Sequence, residues 1–408
     1  MTHPLIIIGA GLAGWTTARE FRKLDTTTPV MVITADSGDF YAKPSLSNAF
    51  NQKRSPEQLV STPAAKMVAT LGVTLLAHTQ VEAINPATQT IHTEKGEFAY
   101  SKLVLATGAQ AIRVPVGGDA SDQVLSVNSL DDFSKFHAHL TGVQDREQRA
   151  TGAIAIEEAS QPSVGKHVLI MGAGLIGCEF ANDLIASGHQ VTVVDPSSSP
   201  ISALLPLGAS EQLRDALAAL GVVWHFGATV KSVDTKGQND GSLRVQLSNS
   251  LQVPVDTVLS AIGLRANTQL AQTAGLTCER GIVVNDALQT SQPHIFALGD
   301  GAQYASAGSR TLPYVMPIMN AAKALAATLA GQRTDVVFPL MPVAIKTPAL
   351  PIVVLAPAPG TAGEWRQAEE GVWQFIAPDD QQLGFVLTGK NTARRAEQVK
   401  LMVKLVAD

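Results

Sequence analysis

Two stretches of this chain place glycines where the diphosphate of a dinucleotide needs them. Leu5-Ile6-Ile7-Ile8-Gly9-Ala10-Gly11-Leu12-Ala13-Gly14 runs an apolar strand into a glycine turn and then a helix expected over residues 12–24. The backbone N–H groups and positive dipole end of such a helix face any anion lying at the strand end. Gly9 permits the tight turn, Gly11 lets the backbone approach a pyrophosphate, and Gly14 lets the helix lie close on the strand. A second strand, 30–34, leads to Asp36, about 20 residues past the glycines, where a ribose-binding carboxylate belongs.

Residues 167–177 repeat the pattern with Gly172, Gly174 and Gly177, followed by a helix through Leu184, a strand at 190–194 and Asp195. Three spaced glycines in a chain that has 33 of them also read as a plain turn. The same strand, turn, helix, strand and acid met twice point instead to two nucleotide sites. Asp195 bears on the choice of nicotinamide cofactor. A carboxylate there accepts from a free ribose 2′-hydroxyl, whereas a 2′-phosphate meets like charge and needs a nearby cation. No Lys or Arg follows before Arg214, so NADH is expected over NADPH. The other reading of Asp195 is that it starts the turn at 196–200.

The rest of the chain bounds what holds these motifs. With 408 residues, 45% apolar and 16% charged, it is too long for one core, and two or three domains are expected. A net charge of −5 gives no general basic surface for nucleic acid or anionic membrane. The two cysteines, Cys178 and Cys278, have no disulfide-framework or metal-ligand spacing, so no metal is expected and a reducing compartment suits them. No apolar run approaches the ~20 residues of a membrane span, and a soluble cytoplasmic protein is expected.

Further elements read as positioning parts. Residues 40–47, broken by Pro44, read as a loop, and 57–93 as a helix with short strands. A buried strand ends in Ala106-Thr107-Gly108, whose small residues let backbone approach a ligand, and Arg113 follows. Residues 142–164 have no strand period and read as a linker or mobile insertion. Strands at 258–263, 282–284 and 295–300 end in Gly263 and in Gly299-Asp300; the Asp is a candidate for a polyhydroxyl chain, although Gly-Asp is also a common turn. A helix over 316–330 has Pro317 in its first turn and Gly331 as its stop.

Together the paired glycine motifs, Ala106-Thr107-Gly108, the segment ending Phe296-Ala297-Leu298-Gly299-Asp300 and the helix after it resemble the pyridine-nucleotide flavoprotein reductases of glutathione-reductase-like fold. Tyr41-x-Lys43-Pro44-x-Leu46-Ser47, Gly177-Cys178-Glu179-Phe180-Ala181-Asn182-Asp183-Leu184, Tyr314-Val315-Met316-Pro317 and Val343-x-x-Lys346-Thr347-Pro348 resemble, more narrowly, the bacterial rubredoxin reductases. The resemblance implies an α/β fold with two dinucleotide-binding domains and a small C-terminal α/β domain. Its expected bounds are 1–113 with 265–335 for FAD, 114–264 for NADH, and 336–408 for the C-terminal domain.

Carried over by position, Gly9, Gly11 and Gly14 hold the FAD diphosphate, with Ala106, Thr107 and Gly108 nearby, Asp36 near the adenosine ribose, Arg113 near the phosphates and Asp300 on the ribityl chain. Gly172, Gly174, Gly177, Asp195 and Gly263 belong to the nucleotide sites. Lys43, Pro44 and Lys346 lie around the isoalloxazine, and the helix beginning near Met316 is aimed at its pyrimidine carbonyl. Glu179 lies between flavin and nicotinamide and is expected to pair with Lys43; it also reads simply as an acid favoured near a helix N-terminus. Related ferredoxin reductases carry a flavin-contacting lysine after this Leu-Ser, where this chain has Asn48.

Residues 40–50 lack the cysteines through which disulfide reductases of this fold relay electrons, so electrons are expected to leave the flavin directly. The implied activity is transfer of electrons from NADH through FAD, singly, to rubredoxin. The alternatives are a reductase of a ferredoxin or of a rubredoxin-like domain, and an NADH-responsive flavoprotein without an electron partner. Lys390, Arg394, Arg395, Lys400 and Lys404 against Glu397 and Asp408 make the C-terminal helix basic, either as a solvated face or as a landing patch for an acidic rubredoxin.

Overall fold

The computed structural model describes residues 3–142, 165–236 and 242–407, and side chains to 402. The expected insertion at 142–164 lies outside the described residues except for Gly142, as do Asp408 and the Lys404 side chain. Two compact units emerge: the first comprises Met1–Lys43, Glu57–Gln110 and Leu264–Met341, the second Pro44–Pro56, Ala111–Gly263 and Pro342–Asp408.

The first unit is built on a parallel sheet with strand order Ile295–Ala297, Lys102–Leu105, Leu5–Ile8, Val30–Ile33, Thr74–Leu76. The strands read LIII, VMVI, KLVL and IFA because a parallel sheet is covered on both faces and has no polar side to alternate with. Leu5 to Ile8 pair in register with Val30 to Ile33 on one side and Lys102 to Leu105 on the other. The helix Leu12–Arg22 packs against Val315–Leu329. Each buries small residues, Ala13, Gly14 and Ala18 in the first and Ala321, Ala322 and Ala326 in the second. The later helix starts one residue before the expected position and stops before Gly331, whose φ of +97° only glycine adopts freely.

The stretch 40–47 is more ordered than a loop. Phe40–Tyr41 pairs with Val60–Thr62, and Lys43–Asn48 forms a 3₁₀ helix. Pro44 breaks nothing there, because at the start of a helical turn its missing N–H has no partner to lose.

In the second unit a parallel sheet runs Leu125–Ser126, Thr257–Ser260, His167–Met171, Gln190–Asp195, Val223–Phe226. The helix Leu130–Thr141 begins with a capping box between Ser129 and Asp132 and ends at Gly142 in the left-handed conformation. The C-terminal portion is an antiparallel sheet, Val343–Ile345, Ile352–Leu355, Gln382–Thr388, Val372–Ile376, Glu364–Glu369. Val353, Val372, Phe385, Leu387 and Met402 form its core beneath the last helix. That helix is split into a 3₁₀ turn, Gly389–Arg394, and an α-helix, Arg395–Ala407.

Candidate active site

The two glycine turns have the same internal logic. Gly9 has φ +107°, and a Cβ there would lie 2.3 Å from the Ala106 carbonyl oxygen; Gly172 has φ +105°, with 2.6 Å to the Ala261 oxygen. A Cβ on Gly14 would lie 1.8 Å from Gly9 O, and on Gly177 2.0 Å from Gly172 O. These four glycines are required by the protein's own packing. Gly11 and Gly174 differ: a Cβ on either meets nothing within 4 Å, and each opens its helix without a side-chain cap. Packing does not call for the second glycine in either turn, and the open space leaves room for a diphosphate to approach the helix N–H groups. The residues present therefore fit a dinucleotide at each turn.

Each acid that follows is held by its own loop. Asp36 Oδ1 accepts from Thr34 Oγ1 at 2.6 Å and from Gly38 N at 2.9 Å. Asp195 Oδ2 accepts from Ala173 N at 2.6 Å, and Oδ1 accepts from Ser197 N at 2.7 Å. The second acid is thus tied to its glycine turn while also making the turn that follows, so its two readings from sequence are compatible. Carboxylate oxygens keep further lone pairs for a ribose hydroxyl.

In the first unit, Thr107 Oγ1 donates to Asn267 O at 3.0 Å. Gly301 lies so near that its Cβ would meet Gly108 O at 3.0 Å. Tyr304 OH closes the turn around Asp300, donating to Gly299 O and accepting from Gly299 N at 2.8 Å. Asp300 itself has no hydrogen-bond partner among the described residues; burial raises its carboxyl pKa and the positive charge of Lys43 opposes this. A sheltered acceptor without a donor suits a polyhydroxyl chain. Met316 is half exposed in the first turn of Val315–Leu329, beside exposed Val315 and Met319.

The second unit gathers the other candidates. Glu179, 1% exposed, accepts from Lys346 Nζ and Ser47 Oγ on Oε2, both at 2.6 Å, and from Lys346 N on Oε1 at 2.9 Å. Lys346 Nζ also donates to Ser47 Oγ at 2.8 Å and to the Pro44 carbonyl. All three ammonium hydrogens are engaged. The expected pairing of Glu179 with Lys43 is therefore corrected: its cation is Lys346, whose backbone N–H serves the other oxygen. Glu179 sits in the second turn of Leu175–Ala186, beyond the N–H groups that a first-turn acid would serve, so attraction to the helix N-terminus does not account for it.

Arg113 is exposed and Gly263 has φ +113°; the neighbouring Ile112 N donates to Gly263 O at 3.0 Å. Asn48 Oδ1 is buried without a hydrogen-bond partner among the described residues. Ser47, Asn182 and Asp183 carry no role in the sequence reading; for Asn182 and Asp183 the available signal is polarity on an otherwise apolar helix. Cys178 is a buried thiol, its pKa raised by desolvation and by the neighbouring Asp195 and Glu179 carboxylates, and Cys278 is a thiol raised by burial. Neither has the thiolate character of a redox cysteine.

The basic C-terminal cluster is smaller than its sequence suggests. Arg394 pairs with Glu369 and, at 3.3 Å, with Glu397. Exposed Lys390, Arg395 and Lys400 make no ion pair among the described residues. No helix among those residues is long and apolar enough to cross a membrane, and they hold no cluster of metal-ligating side chains.

If the second glycines serve ligands alone, Gly11→Val and Gly174→Val should each fold, losing no more than about 1 kcal/mol as cofactor-free proteins. Gly11→Val should purify without flavin absorbance, and Gly174→Val should keep its flavin but bind NADH at least about tenfold more weakly by titration, a loss of roughly 1.4 kcal/mol. Full flavin occupancy in the first variant, or unaltered NADH affinity in the second, would remove the assignment.

Comparison with known proteins identifies two matching family models. Residues 3–327 match the model of the pyridine nucleotide-disulphide oxidoreductases, and 335–402 match the rubredoxin binding C-terminal domain. A rubredoxin-NAD(+) reductase of Alcanivorax borkumensis is 42% identical, with 99% of each chain covered. A rubredoxin-NAD(+) reductase of Acinetobacter baylyi is also 42% identical, with 100% of this chain and 98% of that one covered. Among solved structures, a covalent putidaredoxin reductase–putidaredoxin complex shares the fold at TM-score 0.82 and 23% identity, covering 97% of this chain and 92% of the other. With its two glycine turns and a family match over most of its length, the chain belongs to the pyridine nucleotide-disulphide oxidoreductases.

Proposed function

We propose that this chain is an NADH-dependent flavoprotein reductase that delivers electrons to rubredoxin. The observation that carries the reading is the pair of glycine turns left open only at Gly11 and Gly174, in a chain whose residues 335–402 match a rubredoxin binding domain. FAD, when bound, takes two electrons from NADH as hydride and releases them one at a time.

The protein's part is positioning and electrostatics. Residues 1–113 and 265–335 would hold FAD, with Gly9, Gly11 and Gly14 at the diphosphate and Ala106, Thr107 and Gly108 alongside, Asp36 at the adenosine ribose, Asp300 at the ribityl chain, and Arg113 near the phosphates. The helix starting at Val315, beside Met316, would offer its positive dipole end to the pyrimidine carbonyl. Residues 114–264 would hold NADH through Gly172, Gly174, Gly177, Asp195 and Gly263. Lys43, Pro44, Glu179 and Lys346 would be the residues that serve the flavin and nicotinamide rings. Residues 336–408 meet the acceptor. Unpaired Cys178 and Cys278 suit a reducing cytoplasm.

Stopped-flow mixing of the FAD-loaded protein with NADH, followed by rubredoxin or ferredoxin, tests the function. Fast flavin reduction and oxidation by rubredoxin support it. Preference for ferredoxin would reassign the acceptor, and the absence of fast reduction would favour a signalling flavoprotein. NADH should exceed NADPH in kcat/KM by about tenfold or more, since 1.36 kcal/mol of differential binding suffices. Asp195→Ala should shrink that ratio, and equal use of both by the wild type would sink the role given to Asp195.

The corrected charge pattern yields a separate expectation. Reversing Lys390, Arg395 and Lys400 to Glu should slow rubredoxin reduction several-fold at low salt and leave ferricyanide reduction unchanged. Added salt should narrow the difference, because exposed charges are screened beyond ~10 Å at 0.1 M. Rubredoxin kinetics indifferent to the reversal would leave that helix a scaffold.

A further inference from the structure

The helix Leu175–Ala186 buries three polar side chains, Glu179, Asn182 and Asp183, at 1%, 2% and 3% exposure. Their spacing of three and four residues puts them on one face. Asn182 Oδ1 accepts from Ala349 N at 3.0 Å. Asp183 Oδ2 accepts from Phe50 N at 2.9 Å, and Oδ1 accepts from Asn51 N at 3.0 Å. The partners lie on two distant segments, and those segments are the ones that bring Pro44 O, Ser47 and Lys346 to Glu179.

Helix stability does not explain Asp183, because a carboxylate in the last turn opposes the helix dipole. Desolvation also raises its carboxyl pKa, against the pull of the two N–H donors and of the Lys346 charge. What the residue supplies is an anchor. Residues 44–55 contain no strand and only a short 3₁₀ helix. Apart from Ser47, the contacts that fix them include the two bonds to Asp183 and the packing of Phe50 against Phe133, Phe136 and His137.

We propose that Asp183 and Asn182 are positioning residues: Asp183 pins residues 50–51, and Asn182 pins residue 349, so that Ser47, the Pro44 carbonyl and Lys346 are held around Glu179. The helix that begins at the NADH turn would then carry a fixed cage for its own buried acid. The inference rests on the reading above that Glu179 and Lys346 adjoin the reacting rings.

Two readouts test it on the full chain. Asp183→Asn keeps the shape but replaces one acceptor oxygen with an NH₂ group that faces a backbone donor. Amide exchange at residues 50–51 should accelerate about tenfold or more. In the FAD-loaded variant, reduction at saturating NADH should slow about tenfold while the NADH KM changes less than about twofold, as loss of positioning without loss of binding requires. Asn182→Ala, on a helix that tolerates alanine, should speed exchange at residue 349 but not at 50–51, and should also slow reduction. It decides the matter if Asp183→Asn does not fold.

Exchange unaltered in both variants would overturn the pinning, and faster exchange with wild-type reduction rates would overturn its link to the chemistry. A wild-type flavin that NADH does not reduce would instead count against the proposed function. The exchange data would still decide whether the segments are pinned.

Discussion

The buried carboxylate of Glu179 is the constraint on which the second unit depends. Placing an ionised acid at 1% exposure costs several kcal/mol unless donors and an opposite charge meet it. Three donors meet it, and two belong to one residue, since Lys346 supplies both its ammonium and its backbone N–H. A shift of residues 343–350 would therefore take a donor from each oxygen of the acid. The 44–55 segment is bound in the same way through Ser47, whose hydroxyl donates to Glu179 and accepts from Lys346. The buried acid thus closes three remote pieces of chain into one unit.

The glycine turns show a different division of labour. Positions one and three of each fingerprint are dictated by backbone crowding, with Cβ distances of 2.3 and 1.8 Å in one turn and 2.6 and 2.0 Å in the other. Position two meets no protein atom. Packing alone therefore does not call for glycine at position two, and the open space there leaves room for a diphosphate to approach the helix N–H groups. Asp300, in a turn closed by Tyr304, likewise has no hydrogen-bond partner among the described residues.

Much of this was legible in the sequence where the physics is local. Apolar runs such as Leu5 to Ile8, the glycine spacings, the acids after the second strands and the helix closed by Gly331 are short-range patterns, and the α/β architecture follows from them. The partner of Glu179 was not legible, because Lys346 lies 167 residues away and nothing local distinguishes it from Lys43. Arg394 misled for the same reason: it counts as a positive charge along the helix, but a strand 25 residues earlier supplies Glu369 to neutralise it. Pro44 suggested a broken loop, whereas a proline at a helical start breaks nothing. Asn182 and Asp183 were visible as polar residues on an apolar helix, but their role requires knowing which segments fold back onto it.

The most direct measurement is a double-mutant cycle of Glu179→Gln and Lys346→Met on the thermal or denaturant stability of the cofactor-free protein. If the buried acid and its cation hold the unit together, Lys346→Met should be the most destabilising, by roughly 3–5 kcal/mol, because it leaves an uncompensated buried charge. The double variant should recover much of that loss, giving a coupling of about 2 kcal/mol or more. Losses that add to within ~0.5 kcal/mol would show that the two residues do not depend on each other and would contradict the role assigned to Glu179.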